Sequence, residues 1–153
     1  MFTQKKSLLK TIHRASHVVM VVATLIFVPT ALGQTLPNNP FALSVRDAAG
    51  KDQAMTAYFW KPASGESNSP AVVLVHGSGG ISASPEGYHA EALSKAGFAV
   101  VAIDSFSPRG IANTVTDQGQ LSSVQMTRDA FAAKRWLEDS GWGRKGSIAI
   151  AGF

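Results

Sequence analysis

A glycine-rich stretch, His76-Gly77-Ser78-Gly79-Gly80, follows directly on the apolar run AVVLV. Glycine permits positive φ and lets the backbone approach a ligand closely. The N–H groups of such a turn could face a developing negative charge as an oxyanion hole, or they could cradle a phosphate at a helix N-terminus. A tight turn without any ligand is the third possibility.

Phosphate binding has some support in the sequence. Gly77-x-Gly79 matches the start of the dinucleotide fingerprint G-x-G-x-x-G, and Asp104 ends the next predicted strand, where a ribose-binding acid would lie. The third glycine position is Ser82, however, and a helix is predicted only from about Pro85. The fingerprint requires the helix to open within the motif, so nucleotide binding is the weaker alternative.

Seven predicted elements position these residues. Strands at 41–45 and 55–60 form a hairpin, and a β-α-β-α-β series follows, with strands at 71–75, 98–103 and 147–151 and helices at 85–96 and 121–139. The continuous apolar runs of the last three strands are typical of strands buried on both faces. In the first helix Ser84 is the expected N-cap, Pro85 the first residue and Gly97 the stop. In the second helix one apolar stripe is expected, formed by Met126, Ala130, Ala133 and Leu137.

This order of elements predicts an α/β fold with a mostly parallel sheet and an N-terminal hairpin. Right-handed crossovers bring the loops that follow the strands to one edge of the sheet. Ligands of open α/β sheets bind at that edge. Chemistry is therefore expected in residues 76–80, in the loop 104–110, and after the strand at 147–151.

The N-terminus predicts export. Four basic residues and no acid precede the apolar run VVMVVATLIFV and the small-x-small triplet Ala31-Leu32-Gly33, the order typical of a signal peptide. The run of 11 residues is short of the roughly 20 that a membrane-spanning helix needs, although an uncleaved anchor is the alternative. Residues 1–33 are thus predicted as a signal peptide, 34–40 as a linker and 41–153 as the folded segment, in a secreted or periplasmic protein.

Composition narrows the possible partners. The chain carries a formal charge of +4, but the four bases before residue 34 account for all of it, so residues 34–153 are neutral and nucleic-acid binding loses its electrostatic basis. There is no cysteine, and the later histidines, His76 and His89, are not spaced as zinc ligands. The prediction is therefore a protein without a cofactor or a metal, and without stable membrane association after signal cleavage.

Three ordered motifs carry a family resemblance. "HGSGG" after a buried strand, "AGFAVVAIDSFSPRG" one helix later and "IAIAGF" one helix after that resemble the dienelactone hydrolase branch of the α/β-hydrolases. The resemblance covers roughly residues 71–153, and more loosely the hairpin from Phe41. It implies hydrolysis of a small-molecule ester or lactone by a nucleophile, an acid and a histidine. The nucleophile of such enzymes sits on a strained strand-to-helix turn between glycines.

The resemblance assigns roles to residues of this chain. Gly152 and Phe153 correspond to the start of the nucleophile turn, and the next position would be the nucleophile. The N–H of Ser78, with Gly79, corresponds to an oxyanion donor. His76 precedes all three catalytic positions in chain order, so it is expected to shape the loop with Gly77 rather than to act as the base.

Other polar residues have competing interpretations. Arg109 could bind a substrate carboxylate, but it is more strongly expected to hold its own loop through backbone carbonyls. Asp104 is expected to order the loop that follows it. His89 is predicted as a surface or packing residue, and Asp129 as a solvated residue of the second helix.

The resemblance also bears on length. A single-domain enzyme of this architecture needs roughly 200–250 residues, so the chain is expected to be an N-terminal half cut after the nucleophile-bearing strand. It would then be inactive alone, whether its nucleophile is serine or cysteine. The alternative is a non-catalytic exported α/β binding module.

Overall fold

The computed structural model describes residues 36–153. The predicted signal peptide lies outside the described residues. Within them the chain forms five strands and two α-helices, listed here in chain order: β1 Phe41–Arg46, β2 Asp52–Trp60, β3 Ser69–Val75, α1 Tyr88–Lys95, β4 Ala99–Asp104, α2 Ser123–Asp139 and β5 Gly143–Gly152. All five predicted strands and both predicted helices are confirmed, with shifted ends.

The strands form one mixed sheet in the order β1-β2-β4-β3-β5. The hairpin strands are antiparallel, with Leu43 opposite Met55, and β2 joins the rest of the sheet antiparallel to β4. β4, β3 and β5 run parallel to one another. Their carboxyl ends therefore meet at one edge of the sheet, as the crossover rule predicts.

The two helices cover opposite faces of the sheet. Ala130, Ala133 and Leu137 of α2 join the larger core with β-strand residues such as Val73 and Val101. Ala90 of α1 joins a smaller core on the other face, formed by Val72, Leu74, Val100 and Ala102. β4 is buried along its whole length, because it lies between two other strands and beneath both helices.

The start of α1 differs from the prediction. Ser84 has extended backbone angles (φ −136°, ψ 118°), and a short kinked turn over Ala83–Gly87 precedes the α-helix. Ser84 is therefore not the N-cap and Pro85 is not the first α-helical residue. The reason is steric, since a residue before proline is pushed out of the helical region. The predicted stop is confirmed, because α1 ends at Lys95 and Gly97 follows with φ +94°.

Candidate active site

The loops after β3 and β5 meet at the carboxyl edge of the sheet. The Phe153 N–H donates to the Val75 carbonyl oxygen over 3.3 Å. A Cβ atom on Gly77 would lie only 2.6 Å from the Phe153 carbonyl oxygen. Residue 77 must therefore be glycine for the two backbones to come this close, although its φ is not positive.

Within residues 36–153 the backbone N–H groups of Ser78 and Gly79, in the glycine-rich loop, have no protein acceptor. The rest of the loop is held firmly. The Ser78 carbonyl oxygen accepts from the Thr114 N–H at 2.8 Å, and the Ser78 hydroxyl accepts from the Gln118 side chain at 3.0 Å. The Gly80 N–H donates to the Gly77 carbonyl over 3.1 Å. The two N–H groups are thus available donors on a fixed loop.

His76 is 2% exposed, and both of its ring nitrogens have backbone partners. Nε2 accepts from the Ser105 N–H at 3.0 Å, so Nε2 carries no proton. Nδ1 lies 2.9 Å from the Gly77 carbonyl oxygen, to which an Nδ1–H donates. This geometry corresponds to the neutral Nδ1–H tautomer, and the edge of the His76 ring packs against Phe106, with 4.4 Å between centroids.

Asp104 ends β4 and contacts the loop that follows. One carboxylate oxygen accepts from the N–H groups of Phe106 and Ser107 at 2.9 and 3.0 Å. The Asp104 carboxylate also acts on Tyr58 of the neighbouring strand. Burial first, and then the charge of Asp104, raise the pKa of the Tyr58 phenol, which therefore carries no charge at neutral pH.

Arg109 and Asp129 form a buried ion pair, which corrects the prediction that Asp129 is solvated. The guanidinium contacts both carboxylate oxygens, at 2.6 and 2.9 Å, and Asp129 is fully buried. Arg109 also donates to the Ser105 carbonyl at 2.7 Å and to Gln53 at 3.1 Å. These contacts occupy the groups that a substrate carboxylate would need, so the loop-holding alternative matches the geometry and the substrate role does not.

The burial of Asp129 had a signal in the sequence. Asp129 is three residues after Met126 and four before Ala133, which places it on the apolar stripe of α2. A charged residue on such a stripe needs a buried partner. Pairing it with Arg109, 20 residues away, required the fold.

An exposed cleft borders the loop. Its lining consists of Gly77, Gly79, Gly80, Ser82, Ser84, Pro85, Glu86 and Phe153. His89 of α1 is exposed, as predicted, and its ring stacks on Phe153 with 4.7 Å between centroids. Among residues 36–153 no group of three His, Cys, Asp or Glu side chains is arranged to hold a metal ion. None of the helices in this part of the chain is both long and apolar enough to cross a bilayer.

The site does not have the geometry of a dinucleotide fingerprint. The α-helix after the glycines begins only at Tyr88, beyond Ser82 at the third glycine position. The N-terminus of α1 is thus separated from the loop by the kinked turn over Ala83–Gly87.

No protein-family model matches the chain, and no curated protein sequence does. Solved structures are similar in fold. A protein from Klebsiella pneumoniae assigned as a dienelactone hydrolase matches 75% of this chain and 49% of its own length, with a TM-score of 0.56 and 20% identity. Est1E from Butyrivibrio proteoclasticus matches over 72% and 40% of the two chains, with a TM-score of 0.51 and 18% identity.

A third solved structure is similar in fold. The acylaminoacyl peptidase of Pyrococcus horikoshii matches 78% of this chain but 19% of its own, with a TM-score of 0.52 and 18% identity. The chain therefore has an α/β-hydrolase-type fold. It spans about half the length of the Klebsiella protein and less than half the length of Est1E. The similarity at this level of identity establishes the fold, as the sequence motifs predicted.

Proposed function

We propose that the chain is the N-terminal part of an exported enzyme that hydrolyses esters or lactones. One observation carries the proposal: the available N–H groups of Ser78 and Gly79 lie on a fixed loop that contacts the backbone of Phe153. The loop that would bind an oxyanion and the turn that would present a nucleophile are thus adjacent. The resemblance of "HGSGG", "DSFSPRG" and "IAIAGF" to dienelactone hydrolases supports the substrate class.

The chemistry follows from this arrangement. A nucleophile placed just after Phe153 would attack the carbonyl carbon of a bound ester, and the carbonyl oxygen would become negatively charged. The Ser78 N–H would stabilise that charge, a contribution worth about 10²–10³ in rate for one donor of this type. Collapse of the intermediate breaks the bond to the alcohol oxygen, which leaves with the proton that the histidine base took from the nucleophile. Water then releases the acid from the enzyme.

The described residues supply part of this machinery. Within residues 36–153 no hydroxyl group lies within hydrogen-bonding distance of a histidine ring nitrogen, and the chain contains no cysteine. From the chain order nucleophile, acid, histidine in the family that the motifs resemble, we propose that all three groups belong to a longer protein and follow Phe153 there. The 153-residue chain alone is expected to be inactive.

Export and partners belong to the same proposal. The basic and apolar N-terminus supports secretion or periplasmic transport, with cleavage near Gly33. The balanced charge of residues 34–153 provides no electrostatic basis for nucleic-acid binding, and the proposed partner is a small-molecule ester or lactone. We propose no stable membrane association after cleavage.

The test compares two proteins in a p-nitrophenyl ester assay. One is the 153-residue chain, and the other is extended by the coding sequence that follows Phe153. We expect turnover only in the extended protein. In that protein Ser78→Pro, which removes the N–H, should lower kcat about 10²-fold or more, while Ser78→Ala, which keeps it, should retain most activity. No hydrolysis by the extended protein, or equal loss in both variants, would refute the proposal.

A further inference from the structure

The Arg109–Asp129 ion pair joins three elements of the fold. Asp129 lies on α2, and Arg109 on the loop after β4, where its side chain is only 10% exposed. The Nε–H of Arg109 donates to Gln53 of β2. A further contact fixes the carboxylate, since the Gln125 side chain donates to Asp129 over 3.2 Å. The guanidinium is thus held in one orientation by partners on β2 and α2.

Ser105 is the residue through which this network reaches the glycine-rich loop. Its carbonyl oxygen accepts from Arg109 at 2.7 Å. Its N–H donates to His76 Nε2 at 3.0 Å, and His76 Nδ1 in turn lies 2.9 Å from the Gly77 carbonyl oxygen. A continuous series of hydrogen bonds therefore runs from α2 to Gly77.

The last link of the series bears directly on an N–H group of the candidate site. The Gly77 carbonyl and the Ser78 N–H belong to the same peptide unit. A trans peptide is planar, and its C=O and N–H point in opposite directions. Fixing the direction of the Gly77 carbonyl therefore fixes the direction of the Ser78 N–H.

We propose that Arg109 and Asp129 are positioning residues, which orient the Ser78 N–H through Ser105 and the neutral Nδ1–H tautomer of His76. The inference rests on the proposed function, which gives that N–H its role. Neither residue touches a substrate. Both act through the plane of one peptide bond.

A double variant distinguishes a positioning role of this ion pair from a purely stabilising one, because stability can recover while the effect on His76 remains. Replacing a buried ion pair by apolar residues of similar volume is often neutral or stabilising, whereas removing one partner is costly. The double variant Arg109→Met/Asp129→Leu should therefore restore much of the stability that the single variant Asp129→Leu loses. It cannot restore the donor to the Ser105 carbonyl, so the effect on His76 should persist.

The experiment uses the 153-residue chain labelled with ¹⁵N. Ring nitrogen shifts report the His76 tautomer, and hydrogen exchange reports the Ser105 amide. We expect the wild type to show a single Nδ1–H tautomer. In the double variant we expect a mixture of tautomers and exchange of the Ser105 amide about tenfold faster or more. Asp129→Asn, which keeps the shape, should give an intermediate result.

Arg128→Met is the matched control, because it removes an exposed positive charge beside Asp129, and it should leave both readings unchanged. A folded double variant with the wild-type tautomer and wild-type exchange would overturn the inference. Neither reading depends on ester hydrolysis. If the double variant changes the His76 tautomer but the extended protein does not hydrolyse esters, the positioning role is supported and the proposed hydrolase function is refuted.

Discussion

At the residue scale, the close approach of Gly77 to Phe153 gives the most specific prediction. A Cβ at this position would lie 2.6 Å from a backbone oxygen of Phe153, and that oxygen belongs to a residue bonded to β3 through its own N–H. Backbone cannot yield as a flexible side chain can. Gly77→Ala should therefore destabilise the fold by about 2 kcal/mol, the range of an overpacked site.

Gly79 is the control for that prediction, because a Cβ there would meet no atom within 4 Å. Gly79→Ala should change the unfolding free energy by less than about 0.5 kcal/mol. Urea denaturation of the two variants gives the comparison. Equal losses would show that the contact between the two loops is absent in solution.

The same scale shows what the sequence could predict about the site. The motif HGSGG, the order of the loops and the role of Asp104 in ordering its loop follow from local patterns, because each depends on neighbours in the chain. The partner of Arg109 does not, since Asp129 reaches it only after α2 packs on the sheet. Hydrogen bonds between distant loops, such as Gln118 to Ser78, leave no local pattern either.

At the element scale, apolar runs, helical spacing and helix start and stop signals predicted the five strands and two α-helices, but backbone sterics decided one boundary. Pro85 is compatible with the first turn of a helix, and this favoured a helix start there. It also forces Ser84 into an extended conformation. The buried Glu86 carboxylate then accepts from the Ser82 N–H at 2.9 Å, so a side chain stabilises the turn before α1.

The start of α2 makes a prediction at this scale. The Ser122 hydroxyl accepts from the Gln125 N–H at 3.2 Å as the N-cap. Losing a cap of this kind costs about 1 kcal/mol, so Ser122→Ala should lower the unfolding free energy by that amount. Ser123→Ala, one residue inside the helix, should have little effect. Thermal unfolding followed by circular dichroism distinguishes the two, and a larger loss at Ser123 would contradict the assigned cap.

At the scale of the whole molecule, the two edges of the sheet differ. The β1 edge is part of a hairpin and is partly covered by α2 through the larger core. Within residues 36–153 no strand pairs with the outer edge of β5, and its residues from Ala149 onward are exposed. In this part of the chain the parallel strands β4, β3 and β5 are thus flanked by a further strand on the β4 side but not on the β5 side.

The exposed edge of β5 predicts self-association of the 153-residue chain. Unpaired N–H and C=O groups beside apolar side chains are a template for pairing with a second chain, and Ile150 is 41% exposed on this strand. Ile150→Lys places a charge on the edge and should reduce the oligomeric fraction in sedimentation velocity. Val115→Lys, at an exposed position in the loop between β4 and α2, adds the same charge. An equal reduction in both variants would mean that net charge, rather than the edge, controls association, because only Ile150 lies on the strand that would pair.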